Sequence, residues 1–260
     1  MEPTVIKEYL DKNKIALLIP TYNNDQTLEQ IINEAQNYSS LLLVVDDGST
    51  DHTKEILSRW KGKIHIISYQ QNKGKGNALK EGFLYAKTQG WDAIITLDSD
   101  GQHKLSDLPL FIEAHQKNQG AFLIGSRSFD NSNMPGANTF ANRFSNFWFT
   151  LQTAHKLPDT QTGYRLYPLK EMNYMTPFNK RYEAELELLV RCAWRLIPMV
   201  SLNINVYYPP KDERVSHFRP GKDFLRISIL NTVLCLLAIL YGYPSMLIRK
   251  LYRKLKNCTK

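Results

Sequence analysis

Short apolar runs closed by polar turns recur along the first half of the chain. KIALLIP (14–20) is followed by TYNND, and LLLVV (41–45) runs into DDGSTDHT. KIHIISYQ (63–70) leads to the loop QNKGKG, WDAIITL (91–97) ends in DSDGQH, and GAFLIGSR (120–127) ends at Arg127. Between them the apolar positions change to helical spacing, as in Leu28, Ile31, Ile32 and Ala35. Strands alternating with helices in units of about 30 residues predict a mostly parallel sheet with right-handed crossovers. The polar clusters all fall at strand ends, where α/β folds bind ligands, so they are expected to share one crevice.

FDNSNMPGANT (129–139) reads as a flexible connection. The next stretch places Phe140, Phe144, Phe147, Trp148 and Leu151 on one helical face, as a core face or a lipid groove. LPDTQTGYRLYPL leads to a helix, YEAELELLVRCAWR (182–195), then a late strand, SLNINVYYP (201–209), and the polar KDERVSHFRPGK (211–222). Residues 224–248 are strongly apolar. Arg226, Ser228, Asn231 and Thr232 interrupt the start of that stretch, and Gly242 and Pro244 are expected to break its end. A single span wants about 20 consecutive apolar residues. The segment therefore reads as an interfacial or shallowly inserted helix. The expected division is an N-terminal extension at 1–13, a catalytic domain at 14–220 and a membrane-associating helix with basic tail at 221–260.

Charge refines that picture. The net charge is +8, and Arg249, Lys250, Arg253, Lys254, Lys256 and Lys260 supply six of it. The body is nearly balanced, which argues against nucleic acid as a partner and for a tail held by anionic headgroups. Three scattered cysteines, Cys192, Cys235 and Cys258, fit a reducing compartment, and MEPTVIKEYLDKNK lacks the apolar core of a signal peptide.

The densest chemistry is DSDGQ. Asp98, Asp100 and Gln102 alternate along an extended segment and can turn three oxygen donors to one point, which suits Mg²⁺ or Mn²⁺ shared with substrate phosphates. An acidic turn after a strand is the plain alternative. Asp46 and Asp47 can accept hydrogen bonds from a ribose or base, or cap a helix. Lys73 and Lys75 in NKGKG offer charge for a phosphate. His103 beside the acidic motif reads as a solvent-exposed loop histidine.

In order, PTYNN, VVDDGSTDHT, NKGKGNA, DSDGQ, GSR and TGYR resemble family 2 glycosyltransferases, inverting enzymes of the GT-A fold, over roughly residues 14–220. Within that family the chain is most similar to the dolichol-phosphate mannosyltransferase and polyprenyl-phosphate glycosyltransferase branch. The resemblance implies a Rossmann-like α/β domain that moves a sugar from a UDP- or GDP-sugar to a lipid-linked acceptor at the cytoplasmic face of a membrane.

It also implies roles. Pro20, Tyr22, Val45 and Asp47, with Asp46, would line the nucleoside pocket. Asp98, Ser99, Asp100 and Gln102 would hold metal and diphosphate, with Lys75 and Arg127 facing phosphates. Arg165, Arg214 and Arg219 or Lys222 would face the acceptor phosphate. Asn24 and SHFRPGK depart from the family's usual Glu and Ser-Lys pair. A hydroxyl acceptor would need a general base, for which Glu185 and Glu183 are the candidates, an exposed helix face being their plain alternative; a lipid phosphate needs none. The same donor residues would serve a transferase acting on a soluble sugar, polysaccharide or protein. A nucleotidyltransferase or a non-catalytic sugar-nucleotide-binding module are the more distant alternatives.

Overall fold

The computed structural model describes residues 1–127, 136–207 and 220–258. A seven-stranded sheet runs through it: β1 (Ile15–Thr21), β2 (Leu42–Asp46), β3 (His65–Ser68), β4 (Ala93–Thr96), β5 (Phe122–Arg127), β6 (Arg165–Tyr167) and β7 (Met199–Ile204). Their order is β3-β2-β1-β4-β6-β5-β7. All pairings are parallel except those of β6, which is antiparallel to β4 and β5.

β1, β2 and β4 are buried along their whole length because helices cover both faces of the sheet. Side-chain alternation sorts β1 between two cores: Ala16 and Leu18 face one, and Ile15, Leu17 and Ile19 the other. The second core is closed by α1 (Pro3–Lys12), α2 (Leu28–Ala35), α3 (Thr53–Arg59) and α5 (Leu108–Lys117). The first is closed by α4 (Lys75–Gln89), α6 (Gly136–Thr153) and α7 (Glu183–Trp194), with α8 (Pro220–Leu237) and α9 (Tyr243–Cys258) outside them. Residues 1–13, read from the sequence as an extension, contribute Ile6 and Leu10 to the second core, and the Tyr9 hydroxyl lies 2.8 Å from His115 Nδ1.

Two apolar segments turn out differently from their sequence reading. In α6 the inward face carries Asn142, Ser145, Phe149, Gln152 and Thr153, all buried, whereas Phe147 is 59% exposed and Leu151 is exposed too. Phe144 and Trp148 are half-buried, and the Phe140 side chain lies outside the described residues. The stripe is therefore not a core face. Polar side chains can be inside because each finds a partner: Gln152 Nε2 donates to Asn231 Oδ1 of α8 at 3.0 Å, Asn142 Nδ2 donates to Pro158 O at 3.1 Å, and Ser145 Oγ accepts Thr160 Oγ1 at 2.8 Å. Trp194 Nε1 donates to Gln152 O at 2.8 Å and adds α7 to the same junction.

The second difference is at the C-terminus, where Gly242 and Pro244 do not break the helix. Leu225–Lys256 is continuous, with a π-turn at Ala238–Gly242. Pro244 lacks an amide donor, and the wider turn just before it is where the regular ladder is interrupted. Gly242 is a packing residue, since an added Cβ would lie 2.5 Å from Trp194 Nε1. One side of this long helix, with Leu230, Leu234, Ala238 and Met246, is buried on the body. The other exposes Ile229, Leu236, Leu240, Leu247, Leu251 and Leu255.

The two faces predict opposite mutational responses. Leu234→Ala should cost about 2–5 kcal/mol in a urea titration, as for other buried leucines, and Leu236→Ala should stay within about 0.5 kcal/mol of the parent. Equal effects would mean that α8 does not pack as described.

Candidate active site

The carboxyl ends of β1, β2 and β4 and the start of α7 meet above the sheet, and Lys75 at the first turn of α4 joins them. Its Nζ lies 2.6 Å from Asp98 Oδ1 and 3.1 Å from Glu185 Oε2. Burial alone would lower the Lys75 pKa, but the two carboxylates overcome it and hold the ammonium above its usual range. Asp98 is pulled the other way: burial would raise it, and Lys75 and then His103 keep it below the normal carboxylate value. Lys75 is thus committed to two acids of its own chain, a geometry the sequence reading, which gave it a phosphate, did not contain.

Small residues make this closeness possible. A Cβ on Gly163 would lie 2.5 Å from Asp98 Oδ2 and 2.9 Å from Lys75 Nζ. A Cβ on Gly76 would meet Ala184 Cβ at 2.5 Å, pushing α7 and Glu185 away. The glycines of NKGKG and TGYR therefore serve approach between side chains and helices, beyond any service to a phosphate.

The acidic turn is held from below. Asn24, the departure from the family's usual glutamate, is buried and donates through Nδ2 to Ser99 Oγ at 3.0 Å and to the Ser99 carbonyl. Thr27 Oγ1 donates to that same carbonyl. Ser99, placed by sequence among the donor contacts, is spent on this anchor and fixes Asp98 and Asp100 on either side. Asp100 Oδ1 accepts the Gln102 amide at 3.0 Å. Burial, and next the charge of Asp98, push the Asp100 carboxyl up to about 6. His103 is buried, not solvent-exposed as the sequence suggested: its ring stacks near Tyr164, with centroids 5.1 Å apart, and Nδ1 accepts from Asp98 N at 3.2 Å. Burial drives its pKa down to about 4, so it is neutral near pH 7.

The other pair, at the end of β2, divides its work. Both Asp47 oxygens accept loop amides, from Lys73 at 2.8 Å and Gly74 at 2.6 Å, fixing NKGKG against β2. Asp46 Oδ1 accepts Ser49 N at 2.9 Å, and Oδ2 is a buried acceptor with no hydrogen-bond partner among the described residues. An unpaired buried carboxylate oxygen is costly and suits a ligand donor. Pro20 and Val45 lie alongside in paired strands, both buried, and Tyr22 is half-buried at the rim.

Four arginine and glutamate expectations gain a geometry. Arg127 is bidentate to buried Asp159, Nε to Oδ2 at 2.6 Å and Nη2 to Oδ1 at 3.0 Å. Arg165 does not face a phosphate: it is fully buried and gives its donors to the carbonyls of Thr162, Glu185 and Thr160 at 2.7–2.9 Å. It staples the TGYR segment to α7, because a guanidinium presents several donors in a fixed fork. Glu183 and Glu185 are buried at the start of α7 and not on an exposed face, and each keeps one oxygen without a hydrogen-bond partner among the described residues. Arg214, Arg219 and the side chain of Lys222 lie outside the described residues.

The staple predicts that Arg165→Ala destabilises the protein by about 3 kcal/mol or more, since three carbonyls lose their donors and a cavity opens. Thermal or urea unfolding reads this directly. A variant as stable as the parent would return Arg165 to the list of ligand contacts.

The chain is similar to known proteins in sequence and in fold. The family model described as Glycosyl transferase family 2 matches residues 16–170. The chain is 28% identical over 197 residues to the UDP-N-acetylglucosamine–dolichyl-phosphate N-acetylglucosaminyltransferase of Methanococcus voltae, covering 68% of this chain and 78% of that one. It is 25% identical over 256 residues to a dolichyl-phosphate beta-glucosyltransferase of Trichomonas vaginalis, covering 88% and 77%. Among solved structures, glucosyl-3-phosphoglycerate synthase from Mycobacterium tuberculosis, in complex with uridine diphosphate, superposes with a TM-score of 0.65 at 19% identity, over 92% of this chain and 84% of that one. The same synthase is also known with Mn²⁺ and uridine-diphosphate-glucose. The mostly parallel sheet with its acidic turn after β4 is that of a GT-A glycosyltransferase, and the chain belongs to glycosyl transferase family 2.

Proposed function

We propose that the enzyme transfers one sugar, with inversion, from a nucleotide-sugar to a polyprenyl-phosphate acceptor at the cytoplasmic surface of a membrane, with Mg²⁺ or Mn²⁺. The observation that carries the acceptor half is the outward apolar face of the long C-terminal helix, Leu225–Lys256, lying beside a family 2 site. The relatives named as acting on dolichyl phosphate support the same acceptor class.

The donor side follows from the acids. Asp46 Oδ2 is the acceptor available to a base or ribose donor. Asp98 and Asp100 are near enough for one charge to raise the other's pKa, an electrostatic strain that a divalent cation would relieve. Among the described residues no group of three or more His, Cys, Asp or Glu forms a metal cage, so such an ion would take further ligands from Gln102, water and the diphosphate. When bound, it would neutralise charge on the departing nucleoside diphosphate. Lys75, held against Asp98, supplies fixed positive charge at the same place.

In the transfer an acceptor phosphate oxygen forms a bond to the anomeric carbon as the bond to the donor phosphate oxygen breaks, and the electron pair leaves with the nucleoside diphosphate. A phosphate acceptor is already anionic, so no proton has to be removed. Glu185 then has no base role to fill. Its contact with Lys75 makes it a positioning residue, and Glu183 faces a different cavity on the other side of α7.

The C-terminal helix supplies the membrane contact. Leu247, Ile248, Leu251, Tyr252 and Leu255 project together from α9, while Met246 is buried and Arg253 Nη1 donates to Leu196 O at 3.4 Å. An apolar face flanked by Arg249, Lys250 and Lys254 fits a helix lying in the headgroup layer of an anionic leaflet.

Two measurements test the halves separately. Asp98→Asn and Asp100→Asn should each lower metal-dependent kcat by at least about 100-fold; Asp100→Asn should leave the thermal midpoint close to the parent's, whereas Asp98→Asn should also lower it because Lys75 loses its nearer carboxylate; unchanged turnover removes the acidic pair from the chemistry. Leu247→Asp with Leu251→Asp should weaken sedimentation with anionic vesicles by at least about 100-fold, the loss expected for two buried leucines. Full vesicle retention by that variant would place the membrane contact elsewhere.

A further inference from the structure

Asp98 has two claimants. The metal reading above gives it to a divalent cation with Asp100 and Gln102, yet Lys75 Nζ already lies 2.6 Å from its Oδ1. The pair is backed by Gly163, where an added Cβ would lie 2.5–2.9 Å from both Asp98 oxygens and from Nζ, so neither partner can retreat toward the TGYR segment. On the other oxygen, Oδ2, the neighbour is His103 Nδ1 at 3.9 Å, and that ring nitrogen is engaged by the Asp98 amide. A metal ion on this carboxylate would meet the ammonium at close range, and like charges in a partly buried site repel strongly.

The backbone around Lys75 is tied down. Asp47 accepts the amides of Lys73 and Gly74, and Asn77 N donates to the Lys180 carbonyl at 3.1 Å. The side chain is what can move, because a lysine carries its charge on a flexible stem with three donors at the tip. A second carboxylate is already in contact, with Glu185 Oε2 at 3.1 Å. Glu185 is buried, and its Oε1 has no hydrogen-bond partner among the described residues. A buried carboxylate with an unfilled oxygen can take more of the ammonium than it holds in this arrangement.

We propose that Lys75 is a built-in competitor for the metal: without the ion it occupies Asp98, and when the ion binds it gives up Asp98 and passes its ammonium to Glu185. The proposal rests on the metal reading above and adds the two residues that set the ion's affinity. Glu185 is the receiver, and its effect on the metal runs through Lys75. Because the ammonium stays on Glu185, the positive charge of Lys75 remains inside the site for the departing diphosphate.

The test is a Mn²⁺ titration of the full chain, with neither nucleotide nor acceptor present, read from the electron paramagnetic resonance signal of the free ion. Lys75→Met should bind Mn²⁺ at least about tenfold tighter than the parent, the effect of removing a like charge at close range. Glu185→Gln should bind it at least about threefold more weakly, because the ammonium then has no second carboxylate to move to. The double variant Lys75→Met with Glu185→Gln should come within about twofold of Lys75→Met alone, since a residue that acts through another has no effect once that one is gone. Adding Asp98→Asn to Lys75→Met should remove the gain, which locates the ion. The double variant loses one charge of each sign, so where Lys75→Met alone does not fold, comparing the double variant with Glu185→Gln measures the same tenfold step. If Lys75→Met binds no tighter than the parent, or Glu185→Gln weakens binding equally with and without Lys75, the competition is wrong while the metal reading stands. If none of these proteins binds Mn²⁺, the metal reading itself fails and the competition falls with it.

Discussion

The contact of Lys75 with Asp98 and Glu185 is the constraint on which the site depends. It draws together the start of α4, the end of β4 and the start of α7, three segments far apart in the chain. Taking two carboxylates and an ammonium largely out of water is favourable only because each compensates the others, and removing one partner from such a set usually costs about 3–5 kcal/mol. The residues around the cluster are explained by it. Gly163 and Gly76 leave no side chain where the three groups must approach, and Asn24 fixes Ser99 between the two acids. Arg165, reaching the Glu185 carbonyl from β6, fixes α7 from below.

The same cluster links the two halves of the enzyme. α7 presents Glu185 to Lys75 on one face and Glu183, Glu187 and Arg191 to a cavity against α8 on the other. α8 and α9 pack on α7 through Leu230, Leu234 and Gly242 while turning leucines outward. The long helix with the outward apolar face is thereby packed on the element that presents Glu185 to Lys75. This gives the fold a physical reason to keep polar side chains such as Gln152 and Asn231 buried at the junction of α6, α7 and α8.

Much of this was legible in the sequence because it is local. Strands β1 to β5 announce themselves as apolar runs ending in polar turns, and DSDGQ, VVDDGSTDHT and TGYR carry the family by themselves. What periodicity did not reveal is which side of a helix faces inward once a partner can satisfy polar groups. The aromatic stripe of α6 therefore turned outward, with Asn142, Ser145 and Gln152 inside. Charge was misread for a similar reason. Arg165 and His103 look like ligand contacts or loop residues in one dimension, yet tertiary partners bury both. Only the glycine spacing in NKGKG and TGYR hinted at close side-chain approach, and that signal is shared with phosphate loops.

The most direct test of the central claim is to supply the purified enzyme with Mg²⁺ or Mn²⁺, a panel of radiolabelled nucleotide-sugars, and a choice of polyprenyl monophosphate or soluble phosphorylated acceptors. Label from one donor should pass into the organic phase only with the polyprenyl phosphate, as an acid-labile sugar phosphate whose anomeric configuration is inverted. Label transferred to a soluble acceptor, with none extracted into the organic phase for any donor, would contradict it.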